Sequence, residues 1–269
     1  MEFRYREAFK GIEESLLAYG SQRLPREEIQ AALDRFKTFG QRELTDEWCF
    51  ANLIDVVFYS GMLAATVTCR LPVIHQHLAD FCKVADYGPG DIERILADEK
   101  MLRNRRKIEA CVQNAKVMRQ IVEQYGSFAA YLAGFDPKGP FENLLLLKED
   151  LEERFAYLGS ITVYHFMTNL GLPVLKPDRV IVRIMQRLGL ISRPSQHLKA
   201  IIHGRKFAES TDEPIRYIDI VMVAYGQVRS TEYGIDKGIC LEKEPRCSLC
   251  GVQHLCSYYQ TGKRASAET

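Results

Sequence analysis

The chain has 269 residues, of which 46% are hydrophobic and 26% charged, and this is enough apolar material for one large core or two smaller ones. The formal net charge of +1 does not indicate a nucleic-acid partner by itself, and no run approaches the roughly 20 apolar residues of a membrane span. The N-terminal segment MEFRYREAFKGIEESLL mixes charged and apolar residues, so we expect no secretory leader and a cytoplasmic location.

Apolar residues recur at three- and four-residue spacing along most of the chain, and this pattern predicts an all-helical fold. Helix starts are predicted after Pro25, at Asp91 and after Ser127. Breaks are predicted at the glycine- and proline-rich segments 88–90, 136–140 and 171–173. The final segment TGKRASAET, residues 261–269, is predicted to be a disordered tail.

Three segments of the first half carry a family resemblance: DEWCFANLIDVVFYSGM, DIERILADEKMLRNRRKIEACVQNA and YGSFAAYLAGF. Together they resemble bacterial 3-methyladenine DNA glycosylase I between residues 45 and 135. The run RNRRKI places Arg105 and Lys107 at a helix start, where cations are unfavourable unless an anion compensates. Two interpretations remain open: contact with DNA phosphate, for which Arg105 is the candidate, or pairing with the nearby Asp98 and Glu99.

The residues that recognise the base in that family do not match. Val56 stands where the family has a glutamate, and Ala64 where it has an aromatic residue. The cysteine and histidine zinc site of the family is missing as well. Excision of 3-methyladenine is therefore not expected, and a larger or differently substituted base is the hypothesis.

Chemistry on a base requires that the base be flipped out of the duplex, which leaves a gap to be filled. Met62 in YSGML stands where the superfamily often places an intercalating side chain, although a core methionine is the alternative. Five residues are candidates for the base pocket because aromatic stacking or polar contact holds a flipped base: Trp48, Asp55, Tyr59, Tyr164 and His165.

The segment LEERFAYLGSITVYHFMTNLGLPVLKPDRVIVRIM resembles the helix-hairpin-helix and following aspartate of the same superfamily. A turn at Gly159 is predicted to present the N–H groups of Gly159, Ser160 and Thr162 to DNA phosphate, at the start of a helix over 161–170. Leu158 occupies one position where the family often has glycine, so Gly159 is expected to make the turn alone.

Asp178 is the candidate catalytic residue. Taken alone, an aspartate that opens a helix is a cap. The resemblance implies that it stabilises positive charge on the deoxyribose and orients or deprotonates the attacking water. Ser160 occupies the position of the Schiff-base lysine of bifunctional members, which indicates a monofunctional enzyme. A bifunctional glycosylase and lyase that uses another lysine, such as Lys176, is the alternative.

Eight cysteines without a secretory leader indicate reduced thiols or metal ligands. Four of them are expected to be buried small apolar residues: Cys49, Cys69, Cys82 and Cys111. The other four lie in CLEKEPRCSLCGVQHLC, with six, two and five residues between successive members: Cys240, Cys247, Cys250 and Cys256. Four thiolates suit zinc or an iron–sulfur cluster, and the spacing alone leaves both open.

The uneven spacing, with Pro245 and Arg246 before the second cysteine, resembles the C-terminal loop of the endonuclease III and MutY family. The resemblance implies a structural [4Fe–4S] cluster on the four cysteines. It also implies that Lys243 and Arg246 contact the DNA backbone, against the alternative of an ordinary solvated pair of charges.

The sequence thus predicts a two-domain helix-hairpin-helix glycosylase fold, with a six-helix domain at 47–176 and a second domain of 1–46 and 177–269 that carries the cluster loop 240–256. The active cleft is expected at their junction. The expected partner is double-stranded DNA with a damaged or modified base, which would place the protein at the nucleoid, and a monomer suffices. The alternative outside catalysis is an iron–sulfur protein that binds DNA or senses redox state.

Overall fold

The computed structural model describes residues 3–267, and within this range the regular structure is helical, with a single isolated β-bridge between Ser230 and Ile235. The prediction of an all-helical fold is confirmed. No helix in the described range is both long and apolar enough to cross a membrane. The α-helices in chain order are α1 (Tyr5–Gly20), α2 (Arg26–Asp34), α3 (Asp46–Tyr59), α4 (Ala64–Thr68), α5 (Leu71–Leu78), α6 (Phe81–Val84), α7 (Pro89–Ala97), α8 (Arg105–Tyr125), α9 (Phe128–Ala133), α10 (Phe141–Arg154), α11 (Thr162–Asn169), α12 (Arg179–Arg187), α13 (His197–Thr211), α14 (Ile215–Gly226) and α15 (Ser257–Ala267).

The helices form two compact units. Arg42–Leu172 makes up one unit, called the hairpin unit below because it contains residues 155–162. Met1–Gln41 together with Pro173–Thr269 makes up the other, called the cysteine unit. The cysteine unit is therefore built from two separate stretches of the chain.

Helix α8 is the centre of the hairpin unit, where it contacts α3, α6, α7 and α9. Its start is fixed by Asn104, whose side chain accepts a hydrogen bond from the backbone N–H of Lys107 at 3.2 Å. Its end is fixed by Gly126, which has φ 84°, a left-handed conformation that favours glycine. Between them, Ile108, Cys111 and Ala115 are buried at helical spacing, as their periodicity predicted.

The hairpin unit, all of which the structure describes, contains nine α-helices where the sequence predicted six. Two of the additional helices, α4 and α6, have only five and four residues. One or two turns are too short for an apolar periodicity to show.

Helix α14 organises the cysteine unit, where it contacts α1, α2, α12 and α13. The loop that carries the four clustered cysteines lies against α1, since the N–H of Gly251 donates to Ser15 Oγ at 2.8 Å. A Cβ on Gly11 would approach the Val252 side chain to 2.6 Å, so glycine permits this close approach. The N-terminal helix and the C-terminal loop thus share one core.

Two smaller predictions are wrong. Helix α15 continues to Ala267, so most of the segment predicted to be disordered is helical. Alanine, lysine and arginine, which are frequent in this segment, have high helix propensity. Residues 268–269 lie outside the described range. Cys49 and Cys111 are buried as predicted, but Cys69 and Cys82 are exposed because they belong to or follow short helices at the surface.

Candidate functional site

Asp178 is the N-cap of α12 and follows Pro177. Its Oδ1 accepts hydrogen bonds from the backbone N–H groups of Val180, at 2.8 Å, and Ile181, at 3.1 Å. The side chain is half-buried, and Oδ2 accepts no hydrogen bond from any residue in the described range. The capping and catalytic interpretations of Asp178 are therefore compatible, because one carboxylate oxygen caps the helix and the other remains open.

Behind this segment lies a residue that the sequence analysis missed. Asp219 of α14 is 2% exposed, and its Oδ1 accepts a hydrogen bond from the backbone N–H of Lys176 at 3.1 Å. Burial raises the pKa of Asp219, against the effect of Arg216, which lowers it. The available signal was an acidic residue inside the otherwise apolar run IDIVMVA.

The four clustered cysteines line one cavity, together with apolar and aromatic residues that include Ile239 and Pro245. None of the four forms a disulfide. Short 3-10 turns at Cys247–Leu249 and Gln253–Leu255 bring the later cysteines back toward the cavity. Burial raises the pKa of the thiols of Cys240, Cys247 and Cys256.

Two further groups face this cavity. Arg187 donates a hydrogen bond to Cys240 Sγ at 3.2 Å and another to the carbonyl of Leu241 at 2.6 Å, and its guanidinium lies 4.6 Å from the ring centroid of Tyr258. The hydroxyl of Tyr225 is buried without a hydrogen-bond partner among the described residues. Across the same range, no group of three or more His, Cys, Asp or Glu side chains is arranged to hold a metal ion.

The two basic residues predicted to contact the DNA backbone from this loop differ in their surroundings. Lys243 is exposed. Arg246 is half-buried, donates to the carbonyl of Lys237 at 2.8 Å, and lies 4.2 Å from the ring centroid of Tyr19. Arg246 therefore already supports the loop through contacts inside the cysteine unit.

In the hairpin, the turn is made by a different residue from the one predicted. Tyr157 has φ 67°, in the left-handed region, whereas Gly159 does not, and a Cβ on Gly159 would approach the nearest atom, Thr162 Oγ1, only to 4.0 Å. The prediction that Gly159 makes the turn alone is wrong because the left-handed residue comes two positions earlier.

Thr162 holds the hairpin closed. Its Oγ1 donates to the carbonyl of Tyr157 at 2.6 Å and accepts from the N–H of Gly159 at 2.7 Å. The Gly159 N–H is thus occupied, whereas the backbone N–H groups of Ser160, Ile161 and Thr162, at the start of α11, donate to no group in the described part of the chain. The hairpin therefore presents three free donors, as many as predicted, but at positions 160, 161 and 162, with Ile161 in place of Gly159.

The segment that follows α3 is fixed by Lys107, which is 4% exposed. Its ammonium donates to the carbonyls of Val57 at 2.6 Å, Phe58 at 2.8 Å and Ser60 at 2.6 Å. These carbonyls belong to the last turn of α3, where a cation is favourable. Lys107 was predicted to take part in phosphate contact or surface pairing; it is instead a buried cap of another helix.

Beyond this cap the backbone turns at Gly61, which has φ 69°. Met62, the predicted intercalating residue, is half-buried, whereas Leu63 beside it is 79% exposed. The resemblance pointed to Met62, and no feature of the sequence indicated that Leu63 would be the more exposed of the two.

Arg105 forms ion pairs with Glu93 and, at 3.6 Å, with Glu109. Asp98, expected to compensate the basic run, instead pairs with His77 at 2.8 Å. The surface pairing foreseen as one alternative thus exists, but with different acidic partners.

The candidate pocket residues fall into separate places. The rings of Tyr59 and His165 lie 6.4 Å apart, so the structure brings these two together. Asp55 bonds to His75 Nε2 at 2.7 Å. Tyr164 is in the core, where burial raises its pKa to about 12, so it lines no open pocket.

Trp48 is half-buried in the first turn of α3, and the guanidinium of Arg42 lies 5.2 Å from its ring centroid. Val56, expected at the position of the family's glutamate, is fully buried, and Ala64, expected at the position of its aromatic residue, is exposed.

The family match lies mainly in the hairpin unit. A family model described as methyladenine glycosylase matches residues 36–176, just over half of the chain, and ends before Asp178. The 3-methyladenine DNA glycosylase I from Staphylococcus aureus is similar over 52% of this chain and 84% of its own, with 23% identity and a TM-score of 0.45. The 8-oxoguanine DNA glycosylase of Thermotoga maritima is similar over 79% and 96% respectively, with 22% identity and a TM-score of 0.48.

Proposed function

Because the chain belongs to the methyladenine glycosylase family and is a DNA glycosylase that acts on damaged bases, we propose that it is monofunctional, hydrolysing the N-glycosidic bond of a damaged or modified base in double-stranded DNA to leave an abasic site. The observation that carries the proposal is the geometry of Asp178. Its Oδ1 is fixed by two backbone N–H groups, while Oδ2 is open to a water molecule or to the sugar.

In the proposed reaction the bond between the deoxyribose C1′ and the base nitrogen breaks, and its electron pair leaves with the base. The sugar becomes oxocarbenium-like, as in glycoside hydrolysis, and the Asp178 carboxylate stabilises the developing positive charge. The oxygen of a water molecule bonds to C1′ as its proton passes to Oδ2 of Asp178, and a proton then reaches the nitrogen of the departed base, so that the carboxylate is regenerated. A carboxylate already held by α12 needs little reorganisation for this task.

The hairpin supports hydrolysis by water over cleavage by an amine. Ser160 lies exposed at the position where bifunctional relatives carry their lysine, and residues 155–162 contain no lysine. A serine hydroxyl forms no imine with the sugar. The same hairpin is proposed to bind DNA phosphate through the free N–H groups of Ser160, Ile161 and Thr162.

We propose that Cys240, Cys247, Cys250 and Cys256 hold a [4Fe–4S] cluster. The support is that four cysteines without disulfides line one cavity and that four thiolates are the ligand set of such a cluster, with the spacing of the cysteines resembling the endonuclease III and MutY loop. The Arg187 hydrogen bond to Cys240 Sγ favours a thiolate there. When bound, the cluster cross-links loop 240–256, and the exposed Lys243 can then meet phosphate.

The base is proposed to be larger than, or substituted differently from, 3-methyladenine. Val56 is buried and apolar, and Ala64 leaves exposed space where the relatives carry an aromatic ring. Tyr59 and His165, which lie together, are the proposed stacking groups.

Duplexes that carry single alkylated, oxidised, deaminated or bulky modified bases provide the test. Alkali-labile sites should appear with at least one lesion, and Asp178→Asn should lower the single-turnover rate by about 10²–10⁴-fold. Asp80→Asn is the matched control, because Asp80 also caps a helix through its side chain, with Oδ1 accepting from the Lys83 N–H at 3.1 Å. A lack of sites with every lesion, or equal rates for Asp178→Asn and wild type, would refute the proposal.

Borohydride trapping separates the two glycosylase types. A monofunctional enzyme gives no covalent adduct with DNA, whereas an imine formed by Lys176 or another lysine is reduced to a stable one. Iron and sulfide analysis of the aerobically and anaerobically purified protein tests the cluster: about four irons per chain support it, whereas zinc without iron contradicts it.

A further inference from the structure

The segment Lys176-Pro177-Asp178 is anchored on its inner side. The backbone N–H of Lys176 donates to Asp219 Oδ1 at 3.1 Å, and its carbonyl accepts from the N–H of Asp178 at 2.8 Å. Pro177 has no N–H, so the Lys176 N–H is the last main-chain donor before Asp178. Fixing Lys176 therefore fixes the backbone from which the Asp178 side chain projects.

The carboxylate that provides this anchor is itself held on its second oxygen. Arg216, three residues earlier on α14, donates to Asp219 Oδ2 at 2.5 Å. The Arg216 guanidinium lies beside two neighbouring rings, 5.2 Å from the centroid of Phe36 and 5.3 Å from that of Phe39. Its side chain is 20% exposed, so the pair is largely removed from water.

A buried carboxylate is costly unless it is paired and hydrogen-bonded, and an apolar residue at position 219 would avoid that cost. The surrounding helix is apolar, with Ile218, Val221 and Met222 all buried. Asp219 is therefore an exception whose polar contacts go to Arg216 and to the backbone beside Asp178. Asp178 is also close enough to raise the pKa of Asp219 by charge repulsion, which places both carboxylates in one neighbourhood of the cysteine unit.

We propose that Asp219 is a positioning residue for the glycosylase reaction: it holds the Lys176 backbone and, through the Lys176 carbonyl and the Asp178 N–H, sets the direction of the open Asp178 oxygen. The inference rests on the proposed catalytic role of Asp178. Asp219 itself touches neither substrate nor water in this role. Its contribution is precision, since misplacement of a reacting group by about 1 Å can cost about 100-fold in rate.

The test compares two substitutions that differ in one hydrogen-bond acceptor. Asparagine at position 219 keeps an oxygen for the Lys176 N–H, whereas alanine does not. Both are made together with Arg216→Met, so that neither variant leaves an unpaired buried cation. The pair to compare is thus Arg216→Met with Asp219→Asn, and Arg216→Met with Asp219→Ala.

Three quantities are measured for each variant: the single-turnover rate at saturating enzyme, the Kd for a duplex with a tetrahydrofuran abasic analogue, and the thermal midpoint. The Asn variant should react within about 5-fold of wild type and the Ala variant at least about 30-fold more slowly. The Kd values should agree within about 3-fold, because Asp219 contributes to the reaction and not to DNA binding.

Equal rates for the Asn and Ala variants would overturn the inference, as would a rate loss in the Ala variant that is matched by the same loss in DNA binding. If the Ala variant fails to fold, the Asn variant is decisive. A rate near that of wild type supports the inference, because the asparagine amide oxygen can still accept from the Lys176 N–H. A loss above about 30-fold overturns it. The variant Asp178→Asn distinguishes failure of the two proposals. Full activity of Asp178→Asn would refute the proposed function. Loss of activity in Asp178→Asn, together with normal activity of both double variants, would refute only the role of Asp219.

Discussion

Replacement of Lys107 with methionine should loosen the end of α3. Methionine keeps an unbranched apolar stem but removes the donor of three carbonyls, those of Val57, Phe58 and Ser60. The bonds to Val57 and Phe58 are buried, and a buried acceptor left unsatisfied costs about 1–3 kcal/mol. Burial of the Lys107 ammonium is itself unfavourable and lowers the pKa of this residue. Methionine avoids this unfavourable burial, which offsets part of the lost stability. The expected net loss in the free energy of unfolding is about 3 kcal/mol.

Urea unfolding followed by tryptophan fluorescence measures this loss. The chain has a single tryptophan, Trp48, in the first turn of α3, so the signal reports on the hairpin unit. With a slope of about 1–3 kcal/mol per molar urea, the midpoint should fall by about 1 M or more. Arg106→Met is the control, because Arg106 is the exposed neighbour and its loss should change stability by less than about 0.5 kcal/mol. Equal midpoints for the two variants would refute the capping role of Lys107.

Three further predictions concern the surface, the hairpin and the cysteine unit. Leu63→Ala should slow single-turnover excision by at least about 10-fold, and more than Met62→Ala does, because an apolar side chain that is 79% exposed is better placed to enter a base stack. Val228→Ala is the control, since it alters another apolar side chain that is 75% exposed. A larger effect of Met62→Ala than of Leu63→Ala would contradict the prediction. Gly159→Ala should change stability and rate little, since the added Cβ meets open space, and a loss above about 1 kcal/mol in urea unfolding would speak against the described hairpin. Burial and the charge of Lys206 lower the pKa of His203. Below the ordinary pKa of 6.5, the unfolded chain therefore binds a proton at this residue more readily than the folded chain, and the free energy of unfolding should fall as the pH drops. In thermal melts, His203→Gln should lack this part of the decrease of the melting temperature with falling pH.

Periodicity predicted the helical fold well because each long helix buries one face. In α8, Ile108, Cys111 and Ala115 follow the expected spacing and are all buried. Short helices such as α4 and α6 escaped prediction, because a single turn has no repeat to detect. Local capping was also predictable: Ser127 and Asp178 both cap helices through their side chains, as their sequence contexts indicated.

Contacts between distant positions could not be predicted in this way. Lys107 looked like one cation among several at a helix start, yet it bonds to carbonyls about 50 positions earlier in the chain. Asp219 reaches the backbone of Lys176, which is 43 positions away. A polar residue in an apolar run signals that a partner exists, but the sequence does not say which one. The candidate catalytic aspartate was therefore predictable, whereas its support was not.

The division of the cysteine unit into two stretches of chain has a consequence for how the protein is made. Helix α1 is synthesised well before its partners, which are α13, α14 and the loop around Gly251. The hairpin unit is continuous and can complete its own contacts in between. The 176 residues between Gly20 and His197 take about 9–35 s to synthesise at about 5–20 residues per second, and during this time α13 and α14 cannot cover the apolar face of α1. That face, with Phe9, Ile12 and Leu16, is therefore exposed in the nascent chain and open to a chaperone until its later partners have been made.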